Sequence, residues 1–282
     1  MSQQLNDDSI IIAPPPWILK ADVYSAVFWI SASQAENFPF DIAYSPLELS
    51  SQFADLGISR PVGGVGTIQI IRYKETPVGP YDELVIVPGK FEWIKKGSND
   101  EYKSGYAYKA TRLYVSQKHT CFNGRANWNI PKHLARFDWE AMPDKSLTVR
   151  VYPHDTSGDE TEAMASSTPF FQATMKPMPF IPSFPFSSSW LSFLGIDLEC
   201  VHPPLPKGRG SQGELPGTDS WCAFTPVFSG KASSLMTIDI SQCHEDDKIV
   251  AQRNKSFWPG VGRWRVGLMA ENANLVINTR EI

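Results

Sequence analysis

The run Asn123-Gly-Arg-Ala-Asn-Trp-Asn-Ile-Pro-Lys-His-Leu-Ala-Arg-Phe137 sets a lysine between a proline and a histidine, with Trp128, Ile130, Leu134 and Phe137 close by in the chain. A primary amine attacks a carbonyl only in its unprotonated form. Apolar surroundings or a neighbouring cation that lower its pKa therefore turn it into a Schiff-base nucleophile. Both conditions are on offer around Lys132: Pro131 fixes φ just before it, the apolar side chains supply desolvation, and His133 supplies a group able to carry charge. Against this stands the ordinary fate of a lysine, a solvated loop position. Residues further out bear on the choice.

Working outward, Gly124-Arg125 precedes Pro131-Lys132-His133-Leu134, and three more short runs occur in order: Pro46-Leu47-Glu48, Gly79-Pro-Tyr-Asp-Glu83 and Trp258-Pro-Gly-Val-Gly-Arg263. Taken together these resemble the acetoacetate decarboxylase superfamily, of a fungal type, over most of the chain from about Tyr24 onward. The resemblance implies a cofactor-free lyase with no metal, in which Lys132 forms a Schiff base with a β-keto acid. Glu83, in Tyr81-Asp82-Glu83, falls where that family has its active-site acid. His133 stands where the family has a second cation that activates the nucleophile, and no acid stands at Ile68-Gln69, where the family has an earlier strand glutamate. The altered set favours a larger keto or polyketide-type substrate. A Schiff-base aldolase or dehydratase, and a non-catalytic small-molecule binder using the same cavity, are the alternatives. Arg125 either grips a substrate carboxylate or pairs with an internal acid, the latter being favoured.

Composition sets the class. The chain has 282 residues, 42% hydrophobic and 20% charged, with 23 prolines and 16 phenylalanines, which points to a turn-rich, β-heavy α+β protein. A net charge of −4 argues against a nucleic-acid or anionic-membrane surface. Cys121, Cys200, Cys222 and Cys243 are too far apart for a CxxC metal or redox motif. The acidic, polar first eight residues and the lack of a long apolar run lead to the expectation of a cytoplasmic protein. Residues 1–12 read as a flexible tail and 13–282 as one domain. Asn254-Lys-Ser256 and His244-Glu-Asp-Asp247 read as surface features.

Strands are expected at Val23–Ile30, Thr67–Tyr73, Asp82–Pro88, Gly105–Gln117, Leu147–Tyr152, Phe170–Met175, Cys222–Phe228 and Leu235–Ile240, from β-branched and aromatic content between turn residues. Ser33-Gln-Ala-Glu36 has the spacing of a helix start. Stretches 57–66, 155–162 and 207–217 read as loops. Hairpin-length connections imply antiparallel sheets, and the resemblance implies a closed or cone-like double-layered barrel around a cavity holding Lys132, with few short helices. Tyr81, Trp128, Trp190, Phe193 and Trp258 are the candidate substrate-binding residues. The apolar segment around Trp190 to Leu194 reads either as core packing or an oligomer contact, compatible with a homo-oligomer, or as a cavity wall.

Overall fold

The computed structural model describes residues 9–97, 99–155, 161–240 and 265–282. Strands run in chain order β1 (Trp17–Ile30), β2 (Ser59–Glu75), β3 (Tyr81–Val87), β4 (Lys90–Lys96), β5 (Tyr102–Tyr108), β6 (Arg112–Val115), β7 (Lys132–Ala141), β8 (Leu147–Pro153) and β9 (Thr161–Glu162). They continue with β10 (Phe171–Pro177), β11 (Phe184–Ser187), β12 (Cys200–His202), β13 (Arg209–Gly210), β14 (Cys222–Phe224), β15 (Pro226–Asp239), β16 (Arg265–Ile277) and β17 (Arg280–Glu281). Short helices α1 (Ala32–Glu36), α2 (Phe40–Ala43) and α3 (Pro46–Leu49) follow β1, and α4 (Lys118–Trp128) links β6 to β7.

Nine strands close a barrel in the order β1-β16-β15-β10-β8-β7-β6-β3-β2, with β2 pairing back onto β1. Closure removes the unpaired edges that an open sheet would expose. From the N-terminal end of β2 the sheet continues outside the barrel through β4, β5, β12, β14 and β17. The β-rich class and the closed barrel agree with the sequence-based expectation. One barrel link departs from antiparallel pairing: β6 and β7 run parallel, which requires a crossover connection, and α4 is that crossover.

The long strand β1 shows how the barrel wall carries two cores. Its buried positions are odd-numbered at the start, Trp17, Leu19, Ala21 and Val23, then even-numbered, Tyr24, Ala26, Phe28 and Ile30. Successive strand residues face opposite sides, so the wall is packed on one face at one end and on the other face at the other. Only the second half lies in the expected Val23–Ile30 strand. The first half, behind Pro14-Pro-Pro, was not expected as strand. One cluster joins Trp17, Tyr73, Tyr81, Val115, Cys121, Trp128 and Leu134 beneath α4. The other joins Tyr24, Ile68, Leu84, Tyr114, Ala135, Val149, Phe171 and Met236.

Several local expectations shift. The expected loop 57–66 is strand from Ser59 onward. Gly63 and Gly64, at φ +83° and +96°, form the irregularity where β2 leaves β4 and joins β1. A Cβ on Gly63 would stand 2.6 Å from the Ile30 carbonyl oxygen, so glycine alone permits that approach. The helix start is a capping box formed by Ser31 and Gln34, two residues before the expected Ser33 and Glu36. The expected strand 105–117 divides into β5 and β6 at Lys109-Ala110-Thr111. Three acids of the expected polar loops turn inward: Asp155, Glu162 and Glu214 have buried carboxylates. Ile11 exchanges hydrogen bonds with His119 and Asn123 of α4, which tethers the chain ahead of β1. No helix among the described residues is long and apolar enough to cross a membrane.

Candidate active site at Lys132

The quoted run folds as the second half of α4, a tight turn and the start of β7. Gln117 caps α4 by accepting from the His119 and Thr120 amides, and Asn129 ends it in the left-handed region at φ 51°. Thr120, Cys121, Gly124, Arg125 and Trp128, spaced three and four apart, form its buried face. The chain then turns through Ile130-Pro131, and Lys132 opens β7 lying back along that face. Gly124 makes room for it: a Cβ there would stand 2.4 Å from Lys132 Cδ and 2.5 Å from Cε.

Lys132 is 4% exposed. Its Nζ donates to Glu83 Oε2 at 2.7 Å and to Thr120 Oγ1 at 3.0 Å, and stands 5.2 Å over the Tyr81 ring. Glu83, on β3 and 5% exposed, accepts the Tyr73 hydroxyl at 3.2 Å on its other oxygen. Tyr73 and Tyr81 are register partners on β2 and β3, which brings their rings to 4.4 Å. Burial first, then the adjacent Glu83, pushes both phenols well above their usual pKa, so both stay protonated donors. The amine thus sits between the Thr120 hydroxyl and the Glu83 carboxylate, whose other oxygen holds the Tyr73 hydroxyl.

His133, the next strand residue, faces the opposite way. Its Nε2 meets Glu48 Oε2 at 2.6 Å and its Nδ1 contacts Glu162. Burial alone would lower the His133 pKa, but Glu48 and Glu162 outweigh it and raise it to about 10. Burial likewise opposes ionisation of Glu48, yet His133 and Arg125 bring its carboxyl down to about 2. Arg125 is fully buried: Nη1 donates to Glu48 Oε1 at 2.9 Å and to the Lys132 carbonyl at 3.2 Å, and its remaining nitrogens reach the Pro206 and Pro216 carbonyls.

The expected residues therefore separate. Lys132, Glu83 and Tyr81 come together, and Arg125 reaches the Lys132 carbonyl rather than its amine. The expectation that His133 acts as the second cation beside Lys132 is corrected, because strand alternation turns it away and two carboxylates hold its charge. Trp128 is 1% exposed, packs edge-on against Trp17 at 5.3 Å and donates its indole N–H to the Asn278 carbonyl, so it is core and not a substrate wall. Trp190 and Phe193 lie on a 3-10 helix, Ser188–Leu194, and are 48% and 86% exposed. They form neither core nor cavity wall, because that helix packs outside β11 and β15. Phe137 packs with the opposite cluster, away from Lys132. Trp258, the run ending at Arg263, Cys243, 244–247 and 254–256 lie outside the described residues.

Sequence reasoning missed Thr120, Tyr73 and Glu162. The four-residue spacing of Thr120, Gly124 and Trp128 was a helix signal on the lysine's side, and Tyr73 ended a recognised strand. Glu162 gave no signal, since acidic loops are usually solvated.

No protein-family model matches the chain. Its architecture is similar to the crystal structure of acetoacetate decarboxylase from Legionella pneumophila subsp. pneumophila str. Philadelphia 1, with TM-score 0.54 and 10% identity, covering 95% of this chain and 88% of that one. Protein NEOXANTHIN-DEFICIENT 1 of Oryza sativa subsp. japonica is 26% identical over 136 residues, 47% of this chain and 38% of that protein. Its Solanum lycopersicum namesake is 29% identical over 142 residues, 50% of this chain and 41% of that protein. The chain thus matches only about four-tenths of the length of these relatives.

Proposed function

From its acetoacetate decarboxylase-like fold and the Lys132–Glu83 pair it carries, we propose that the chain is a Schiff-base lyase acting on a β-keto acid or a larger keto substrate. The observation that carries this reading is a nearly buried lysine amine 2.7 Å from a nearly buried carboxylate. Structural ion pairs are buried too, but a proton passed from Nζ to Oε2 turns this pair into a neutral acid and a free lone pair, the form in which an amine attacks a carbonyl. The amine attacks the ketone carbon. Glu83 returns the borrowed proton to the departing hydroxyl, which leaves as water, and an iminium remains on Lys132. As carbon dioxide departs, the iminium takes up the electron pair of the breaking C–C bond. The enamine is then protonated and hydrolysed, restoring the amine. Aldol condensation or dehydration through the same iminium is the second reading, supported by the Thr120 hydroxyl at the nitrogen and the neutral Tyr73 hydroxyl on Glu83.

A series of β-keto acids of increasing size, followed by carbon dioxide release, tests the reaction. Turnover that Lys132→Arg abolishes supports decarboxylation, because arginine keeps the charge and lacks the attacking amine. Undiminished turnover in Lys132→Arg refutes it. Assembly into a homo-oligomer through the exposed Phe180, Trp190 and Phe193 belongs to the same proposal.

A further inference from the structure

Helix α4 brings Thr120 to the Lys132 amine and Gly124 beneath its stem, yet its own sequence supports a helix only weakly. It has 11 residues, with Gly124 near its middle and His119, Thr120, Asn123 and Asn127 among the rest. Glycine, asparagine, threonine and histidine are poor helix formers, and helices shorter than about 12–15 residues are marginal alone. Outside contacts must therefore hold it. Besides its buried face, α4 is held by the chain ahead of β1. The Ile11 amide donates to His119 Nδ1 at 3.1 Å, and Asn123 Nδ2 donates to the Ile11 carbonyl at 2.6 Å. The Ala13 amide donates to Asn123 Oδ1 at 2.8 Å, and Asn127 Nδ2 donates to the Ala13 carbonyl at 2.8 Å. His119, Asn123 and Asn127 are four residues apart and stand one above the other along the helix. Alternate residues of an extended chain are spaced roughly 6.6 Å apart and four helical residues rise about 6.0 Å, so residues 11 and 13 meet successive turns in register. The Ala13 carbonyl also accepts the Trp17 indole N–H at 3.0 Å, and Trp17 packs against Trp128 at the end of α4.

We infer that Asn123 is a positioning residue for imine formation: by clamping residues 11–13 onto α4, it sets where Thr120 and Gly124 stand against Lys132. The inference rests on the Schiff-base reading and adds to it a residue that acts through the helix. Asn123 is 1% exposed and forms the centre of the clamp. Its one carboxamide accepts from Ala13 and donates to the carbonyls of Ile11 and, at 2.8 Å, of His119. Truncation therefore removes two of the four rungs at once. The residues it would release are those at the amine, since Gly124 follows it directly and Thr120 lies one turn before. Glu83 is on β3 and does not move with α4. A withdrawal of the helix by about 1 Å carries Thr120 Oγ1, now 3.0 Å from Nζ, beyond hydrogen-bond reach. The amine then keeps its acid and loses the hydroxyl that fixes its direction.

The experiment uses the full chain and pentane-2,4-dione, a β-diketone that condenses with an amine to give an ultraviolet-absorbing enaminone. The saturating rate, the half-saturating concentration and the final amount of adduct are measured in the native protein, Asn123→Ala, Asn127→Ala and Ile11→Pro. Ile11 is 48% exposed, so Ile11→Pro removes the amide N–H of one rung and leaves α4 itself unaltered. The expected result is adduct on native Lys132 and a saturating rate about 100-fold lower in Asn123→Ala, the cost of a misplacement of about 1 Å. Asn127→Ala and Ile11→Pro are slowed several-fold, and in all three the half-saturating concentration and the final adduct stay near native. A clamp that only stabilises the fold would instead lower the amount of adduct, in step with the folded fraction, at an unchanged rate. That outcome, or a native saturating rate in Asn123→Ala, overturns the positioning role and leaves the Schiff-base reading standing. Where Asn123→Ala does not fold, Asn127→Ala and Ile11→Pro decide by the same criterion. No adduct on native Lys132 overturns both readings.

Discussion

Gly124→Ala is the substitution whose effect the structure fixes most sharply. In a helix, glycine to alanine ordinarily stabilises by about 0.5–1 kcal/mol, because the flexible residue loses more backbone entropy on folding. Here the new methyl meets Lys132 Cδ at 2.4 Å and Cε at 2.5 Å. Carbon atoms rest about 3.5–4.0 Å apart, so the lysine stem must withdraw by roughly 1 Å or more. That movement strains the 2.7 Å contact with Glu83 and the 3.0 Å contact with Thr120. Overpacking costs about 1–3 kcal/mol, so the net stability change lies between roughly neutral and about −2.5 kcal/mol. Reactivity falls further, since a misplacement of about 1 Å at a reacting group costs on the order of 100-fold. Denaturant unfolding gives the first quantity and the rate of imine reduction at Lys132 the second. A Gly124→Ala protein that is more stable than native and traps substrate at the native rate would refute the idea that Gly124 seats the lysine.

Three other outcomes follow from the same geometry. The His133 pKa, raised from 6.5 to about 10, makes the folded chain hold a proton that the unfolded chain sheds. Its contribution to stability is complete below pH 6.5 and lost as pH climbs toward 10, whereas that of Glu48, lowered from 4.5 to about 2, is complete above pH 4.5 and lost on acidification. The denaturant midpoint should therefore fall from pH 7 to 9, and a midpoint that rises there contradicts the assignment of a charged His133. Arg125→Met leaves Glu48 with only His133 and removes a guanidinium donor from three carbonyls, so calorimetry should show a loss of about 3–5 kcal/mol; a loss under about 1 kcal/mol would mean that Arg125 is not structural. Phe193→Ser, at an exposed position, should change stability by less than about 0.5 kcal/mol and, if the Trp190–Phe193 surface is an assembly contact, lower the mass seen by light scattering. An unchanged mass removes that surface from the assembly.

What could be read from the chain followed physical regularity. Alternation revealed the second half of β1, the core of β2 and β3, because those stretches bury one face and leave turns at their ends. It failed at Trp17–Ala21, where a proline-rich lead-in masked the strand, and at Ser59–Gly66, where glycines that read as a loop instead let one strand belong to two sheets. At the site, Lys132 and Glu83 stood in short motifs and could be named. His133 was assigned to the lysine's side because sequence adjacency was taken for spatial adjacency, and strand geometry forbids it. Glu162 pairs with His133 across 29 positions, a distance that no local pattern encodes. Trp190 and Phe193 show the converse: an apolar cluster between prolines reads as core, cavity wall or oligomer contact, and the 3-10 helix that carries it leaves both rings exposed.

The proposed chemistry stands on Lys132 acting as a nucleophile. Incubation of the native protein with a β-keto acid and borohydride, followed by peptide mass mapping, tests it without knowledge of the natural substrate, because reduction freezes the imine as a secondary amine. An exposed lysine near pKa 10.4 is almost wholly protonated at pH 7, so selective labelling requires an environment that frees one amine. A nucleophilic Lys132 gives a single adduct at that residue, absent from Lys132→Arg and diminished in Glu83→Gln. Labelling spread evenly over surface lysines with Lys132 unmodified would contradict it.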